Sequence, residues 1–206
     1  GLPCTDKMPV PPFTIPHLPT YATSLLDPLT TLSYVAGATD SLPIGTSVLL
    51  LPLRNPVLLA KRAVTIQHLS SRRLTLGLGT GYVDAEFEAV NIPISERSGR
   101  FREGIEILTR LFSEESVSFD GEYFTIRDVH LEPAPGQPPR VLSAGSGEDK
   151  NGTRTMAETV KQRFQYADGW IAPPRLPDVL EEDLSLITPY QDSPETSERV
   201  ALQYLH

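Results

Sequence analysis

From residue 27 onward, short apolar runs alternate with amphipathic stretches, and this alternation constrains the fold more than any other feature of the chain. Asp27-Pro28 supplies a carboxylate N-cap with proline at the first helical position, and Leu29, Leu32, Val35 and Ala36 follow at helical spacing. Residues 43–51, PIGTSVLLL, show little polar alternation, the pattern of a strand buried on both faces. Asn55-Pro56 repeats the cap-then-proline start for a helix running to about Ser70, with Leu59, Ala63, Ile66 and Leu69 toward the core. Residues 73–79, RLTLGLG, form a second buried strand. Ser95 is placed to cap the next helix, whose apolar stripe is Phe101, Ile105, Leu108 and Phe112. A hairpin over residues 117–126 turns at Asp120-Gly121. A strand at 140–143, a helix marked by Met156, Val160 and Phe164, a strand at 169–172, a helix over 176–187 and a strand at 199–205 complete the series.

Strands separated by helices predict a parallel sheet with helices packed outside it, each right-handed crossover setting the next strand parallel to the last. No internal repeat or linker divides the chain, so residues 1–206 are expected to form a single domain. Residues 1–26 carry Pro3, Pro9, Pro11, Pro12, Pro16 and Pro19 and no periodicity. They are expected to be extended loop, either covering a substrate or forming an unanchored terminus.

Composition removes several function classes. The net charge of −8 argues against a nucleic-acid partner, whose phosphates need clustered Lys and Arg. Cys4 is the single cysteine, which excludes an internal disulfide and fits a reducing, cytoplasmic setting. No apolar run reaches the roughly 18 residues of a membrane span, and the N-terminal segment lacks the pattern of a signal peptide. His17, His68, His130 and His206 have no ligand spacing, so no metal site is expected.

In parallel α/β folds, ligands bind at the carboxyl ends of the strands. Those ends carry Gly45-Thr46-Ser47-Val48, then Gly77-Leu78-Gly79-Thr80-Gly81-Tyr82, then Ser143-Ala144-Gly145-Ser146-Gly147. Glycines there let backbone approach a ligand, and backbone N–H groups suit a phosphate. Gly145-Ser146-Gly147 is the best phosphate candidate, against the plainer alternative of an ordinary glycine-rich turn. Asp84, Glu86 and Glu88 follow the second strand as candidate acid or base groups, or as the solvated start of a helix. Arg97, Arg100 and Arg102 are expected on the exposed face of their helix, or one of them within reach of a substrate anion. No nucleophile elbow and no P-loop is present.

The stretch DPLTTLSYVAGATDSLPIGTSVLLLPLRNPVLLAKRAVTIQHLSSRRLTLGLGTGYVDAEFEAVNIP resembles the bacterial luciferase-like monooxygenases, and most closely their deazaflavin-using (coenzyme F-420) oxidoreductase branch. The resemblance continues through ERSGRFREGIEILTRLF, the VSFDGEYF hairpin and ADGWI, covering roughly residues 27–171. It implies an α/β, TIM-type (β/α) barrel that holds reduced deazaflavin (F-420) or FMN at the strand carboxyl ends. It also implies a bulge with a non-proline cis peptide at Ser47-Val48 backing the ring, Thr80 and Gly81 beside the ring's polar edge, and Ala144, Gly145 and Ser146 at the cofactor phosphate. The protein would hold the ring against a small organic substrate for hydride transfer or monooxygenation.

Departures from the family pattern set the alternatives. The family's first two strands and last strand are not recognisable, so the barrel is apparently incomplete. Tyr82 stands where some deazaflavin dehydrogenases have an acid. Glu148 and Asp149 follow the phosphate turn and oppose anion binding. Open sheet edges invite pairing with another chain, so a dimer is expected. The rival functions are a non-catalytic flavin-binding or partner protein, and a cofactor-less enzyme using the old pocket. The catalytic acid or base is not assigned to any residue.

Overall fold

The structure, a computed structural model, describes residues 26–145, 165–172, 181 and 200–202. The Pro-rich segment up to residue 25, the helix expected around Met156 and all but Glu181 of the helix expected over 176–187 lie outside the described residues, as does Ser146.

Among the described residues the order is helix α1 (Pro28–Ala38), strand β1 (Ile44–Leu50), α2 (Pro56–Leu69), β2 (Leu74–Gly79), α3 (Asp84–Glu88), α4 (Arg97–Ser113), β3 (Val117–Asp120), β4 (Thr125–Val129), β5 (Arg140–Ala144), β6 (Gly169–Ala172) and β7 (Val200–Leu202). β1-β2-β5-β6-β7 form one five-stranded sheet in that order, every pair parallel, and β3-β4 form an antiparallel hairpin. The expected parallel α/β arrangement is therefore present as an arc of a barrel that does not close. No helix among the described residues is long and apolar enough to cross a membrane.

Cap chemistry starts both early helices as expected. Asp27 accepts from Thr30 N (2.9 Å), and Asn55 accepts from Val57 N (3.0 Å) and Leu58 N (3.2 Å), each with proline at the helix start. Burial opposes the Asp27 carboxylate. The bonds from Thr30 and the charges of Arg54 and Arg62 outweigh it and hold the group below its ordinary value. A lowered folded-state pKa contributes stability above the unfolded-state value, and that contribution is lost as pH falls through the folded value. Asp27→Ala is expected to cost about 1 kcal/mol at neutral pH. Thermal melts of the two proteins should converge below the usual carboxylate range.

The helix-facing layer is one continuous apolar core. Leu74, Leu76 and Leu78 of β2 meet Leu59, Ala63 and Ile66 of α2 and Phe101, Ile105 and Leu108 of α4. Four expectations need correction. Leu69 is 55% exposed, and Gln67 is buried in its place, accepting from Leu74 N (2.9 Å) and donating to Gln137 O (3.2 Å). Ser95 does not cap α4. It lies in a 3-10 turn, Ile94–Glu96, and the N-cap residue is Glu96, with no capping bond from its side chain. The hairpin does not turn on Asp120-Gly121 alone, because its connection spans residues 121–124. β1 is not buried throughout: Gly45, Ser47 and Val48 are exposed, since β1 is the edge strand and its inner face is open.

The hairpin is fixed by a side chain that sequence reasoning missed. Glu103 of α4 is 6% exposed and accepts from Glu122 N (2.9 Å), Tyr123 N (2.9 Å) and Phe124 N (3.1 Å). Arg100 lies over the Tyr123 and Phe124 rings at 5.4 and 5.7 Å, and pairs with Glu96. Glu103→Gln keeps the shape but turns an amide N–H toward a backbone N–H. We expect a loss of about 2 kcal/mol in urea unfolding, with faster hydrogen exchange at residues 122–124.

Candidate cofactor-binding site

The site is built from the irregularity in β1. The β1–β2 register runs Ile44↔Leu74, Gly45↔Thr75, Thr46↔Leu76 and then resumes at Leu49↔Leu78 and Leu50↔Gly79. Ser47 and Val48 therefore oppose Gly77 alone, a β-bulge, and the Ser47–Val48 peptide is cis. Alternation from the core residues Leu74, Leu76 and Leu78 puts Thr75, Gly77 and Gly79 on the other, inner face of the sheet. The glycines there are required by close approach. A Cβ on Gly77 would stand 2.1 Å from Thr46 O and 2.6 Å from Ile171 Cδ1, and one on Gly79 would stand 2.6 Å from Val48 Cγ2. Val48 is laid across β2 in this way and remains 38% exposed. Thr46, behind the bulge, donates its hydroxyl to Gly77 O at 2.8 Å.

The neighbouring strand ends complete the rim. Thr80 and Gly81 follow β2 directly, both half-buried. Gly81 has φ +76°, a conformation that favours glycine, and it sits against Leu50 and Phe87. Ala144 ends β5 and pairs in register with Ile171 of β6, and Gly145 follows it. Because β1, β2, β5 and β6 are parallel neighbours, Thr80, Gly81, Ala144 and Gly145 fall at the carboxyl end of one sheet, while Ser47 and Val48 lie mid-strand in β1, opposite Gly77. The sheet thus brings together every proposed site residue among those described.

Other candidates sort by position. Asp84 and Glu88 are exposed on α3 beside this rim and Glu86 is buried there. Tyr82, directly after Gly81, is 56% exposed. His68 sits at the opposite, amino end of the sheet, where its Nε2 meets Ala134 O at 3.2 Å, a structural contact. Arg97 donates to Ile94 O, Arg100 is engaged with Glu96, and Arg102 is exposed. No cluster of three metal-ligating side chains occurs among the described residues. The residue that sequence reasoning overlooked is Trp170 of β6, 3% exposed, whose indole Nε1–H donates to Gly145 O at 3.0 Å.

A family model described as luciferase-like monooxygenase matches residues 14–181. The chain belongs to the luciferase-like monooxygenase family. Among its relatives, an uncharacterized protein of Mycobacterium tuberculosis is 32% identical over 157 residues, covering 76% of this chain and 53% of that protein. An F420-dependent glucose-6-phosphate dehydrogenase of Kineococcus radiotolerans is 38% identical over 120 residues, covering 56% of this chain and 35% of that protein. The crystal structure of the monooxygenase RslO1 from Streptomyces bottropensis superposes with a TM-score of 0.71 at 26% identity, over 86% of this chain and 54% of that one. The chain spans about half the length of the first curated relatives it matches.

Proposed function

We propose that this chain forms the cofactor-holding part of a luciferase-like oxidoreductase in which reduced deazaflavin, coenzyme F420, reduces a small organic substrate. The observation that carries this is the bulge at Ser47-Val48 laid over glycine-bare β2, beside two further glycine-bearing strand ends. A planar tricyclic ring needs a smooth apolar support on one face and backbone donors along its polar edge. The exposed Val48 side chain fits the first requirement, and the turn at Thr80 and Gly81 fits the second. Ala144 and Gly145 lie where the anionic end would be held, and Ser146 is assigned to the same end by its sequence position alone. When bound, the reduced deazaflavin supplies a hydride to the substrate.

In this reading the chain's own residues bind and orient. Gly77 and Gly79 keep side chains off the inner face, so that Val48 remains the surface the ring meets. Gly81 allows the turn backbone to close toward the ring edge without a Cβ in the way. Orientation of this kind contributes by holding reacting atoms at near-attack distance. The F420-dependent Kineococcus relative supports the deazaflavin. The RslO1 likeness supports a second reading, in which the same cradle holds FMN for monooxygenation. A second copy of the chain is the proposed partner, since β1 is the edge strand of the sheet among the described residues.

Titration of the purified chain with coenzyme F420 and with FMN, followed by absorbance and fluorescence, tests the proposal. Micromolar binding of F420 tighter than FMN is expected, and turnover with reduced F420 would identify the oxidoreductase. Preference for FMN would favour the monooxygenase, and a folded chain that takes up neither ligand would refute both.

A further inference from the structure

Trp170 is the only tryptophan in the chain, and it is buried in the sheet rather than exposed at the rim. It pairs in register with Ser143, two residues before the turn that ends β5. Its Nε1–H reaches past that pairing to the Gly145 carbonyl at 3.0 Å. Three observations make this contact more than a core hydrogen bond. It crosses from one strand to the turn following the next, so it fixes loop backbone and not strand backbone. The Gly145 carbonyl is an acceptor dipole located where the proposed function seats an anion, and a carbonyl left free there would repel that anion. Beneath it, the Ser143 hydroxyl is buried at 2% exposure and has no hydrogen-bond partner among the described residues, so it takes no part in holding the Gly145 carbonyl.

We propose that Trp170 is a positioning residue for the anionic end of the cofactor, acting through Gly145. The indole N–H engages the carbonyl and holds it against the sheet, so that Gly145 faces a phosphate or phosphodiester with its opposing dipole already bound. Trp170 itself does not touch the cofactor. This inference rests on the proposed function and adds a residue outside the glycine-rich turns.

The discriminating variant is Trp170→Phe, which keeps an aromatic ring in the core and removes the donor. The probes are FMN against riboflavin, and coenzyme F420 against its deazaflavin chromophore without the phosphodiester. Loss of one hydrogen bond to the turn should weaken the phosphate-bearing ligands about tenfold. The phosphate-free ligands should bind wild type and variant alike. Equal loss for both kinds of ligand would make Trp170 merely structural and overturn the inference, as would unchanged FMN and F420 affinity. A wild-type protein that binds none of the four ligands would instead overturn the proposed function, and this inference with it.

A second measurement covers the case in which Trp170→Phe does not fold. With one tryptophan, the ¹⁵N-labelled protein gives one indole N–H resonance, protected from exchange in the free state. Phosphate-bearing ligand should shift that resonance and slow its exchange further, and phosphate-free ligand should leave it in place. An indole resonance indifferent to both overturns the inference without any variant.

Discussion

Gly77→Ala is expected to lower the stability of the chain by roughly 3 kcal/mol or more, and to abolish cofactor binding in whatever fraction remains folded. The added methyl would be 2.1 Å from the backbone oxygen of Thr46 and 2.6 Å from Ile171 Cδ1. A flexible side chain can rotate away from such a clash, as Ile171 can in part. The Thr46 carbonyl belongs to the β1 backbone, and moving it means moving the strand. That strand is held where it is by the ladder to β2 and by the Thr46 hydroxyl on Gly77 O. The bulge and the edge of the sheet should therefore yield together. Gly37→Ala is the control. Nothing lies within 4 Å of the methyl it would add, and replacing a helical glycine should stabilise by about 0.5–1 kcal/mol. Urea unfolding of both variants checks the pair. Equal and small effects would show that the β1–β2 approach is slack.

Arg73→Met carries the second large effect, at the other end of the sheet. The guanidinium and its Nε donate to Ser70 O, Thr39 Oγ1, Leu42 O, Ala36 O and Thr39 O. One side chain thus satisfies carbonyls at the carboxyl termini of α1 and α2 and in the segment leading into β1. Its positive charge also complements the negative ends of both helix dipoles. Methionine keeps most of the stem's packing and removes every donor, leaving half-buried carbonyls without partners. A loss of roughly 3 kcal/mol is expected, read as a lowered urea midpoint with an unchanged slope. Because Arg73 precedes β2, far from the strand carboxyl ends, ligand affinity of the folded variant should stay near that of wild type. A variant that is as stable as wild type would mean that solvent replaces the guanidinium at these carbonyls.

What the sequence made legible follows from range. Asp27-Pro28 and Asn55-Pro56 announced their helices because capping is settled within a few residues. The strand at Leu74–Gly79 was legible for a similar reason, since a run buried on both faces needs no partner to identify it. Leu69 was assigned to the core by helical spacing. Its neighbour Gln67 holds that place only through Leu74 N and Gln137 O, the second of them 70 residues away. Glu103 carries no local signal of its role, because its three donors lie 19 to 21 residues further on. Ser95 resembled a cap because its side chain has the right chemistry, but a 3-10 turn carried the chain past it. At the site, the glycines of β2 and the one that follows β5 were visible as glycines. The bulge that gives them meaning at Ser47-Val48 came from family resemblance, because it depends on register against β2. Trp170 could have been noticed as a lone tryptophan on a short strand, but nothing local ties it to Gly145.

The strand order β1-β2-β5-β6-β7 has a consequence for how the molecule assembles. Among the described strands, each inner one hydrogen-bonds to the strand that precedes it in this sheet along the chain and to the one that follows, and none waits for a distant partner to be inserted between its neighbours. Accretion can therefore proceed from the amino-terminal side, each βα unit templating the next as it leaves the ribosome, and the advancing strand is the one whose outer edge stays open to solvent.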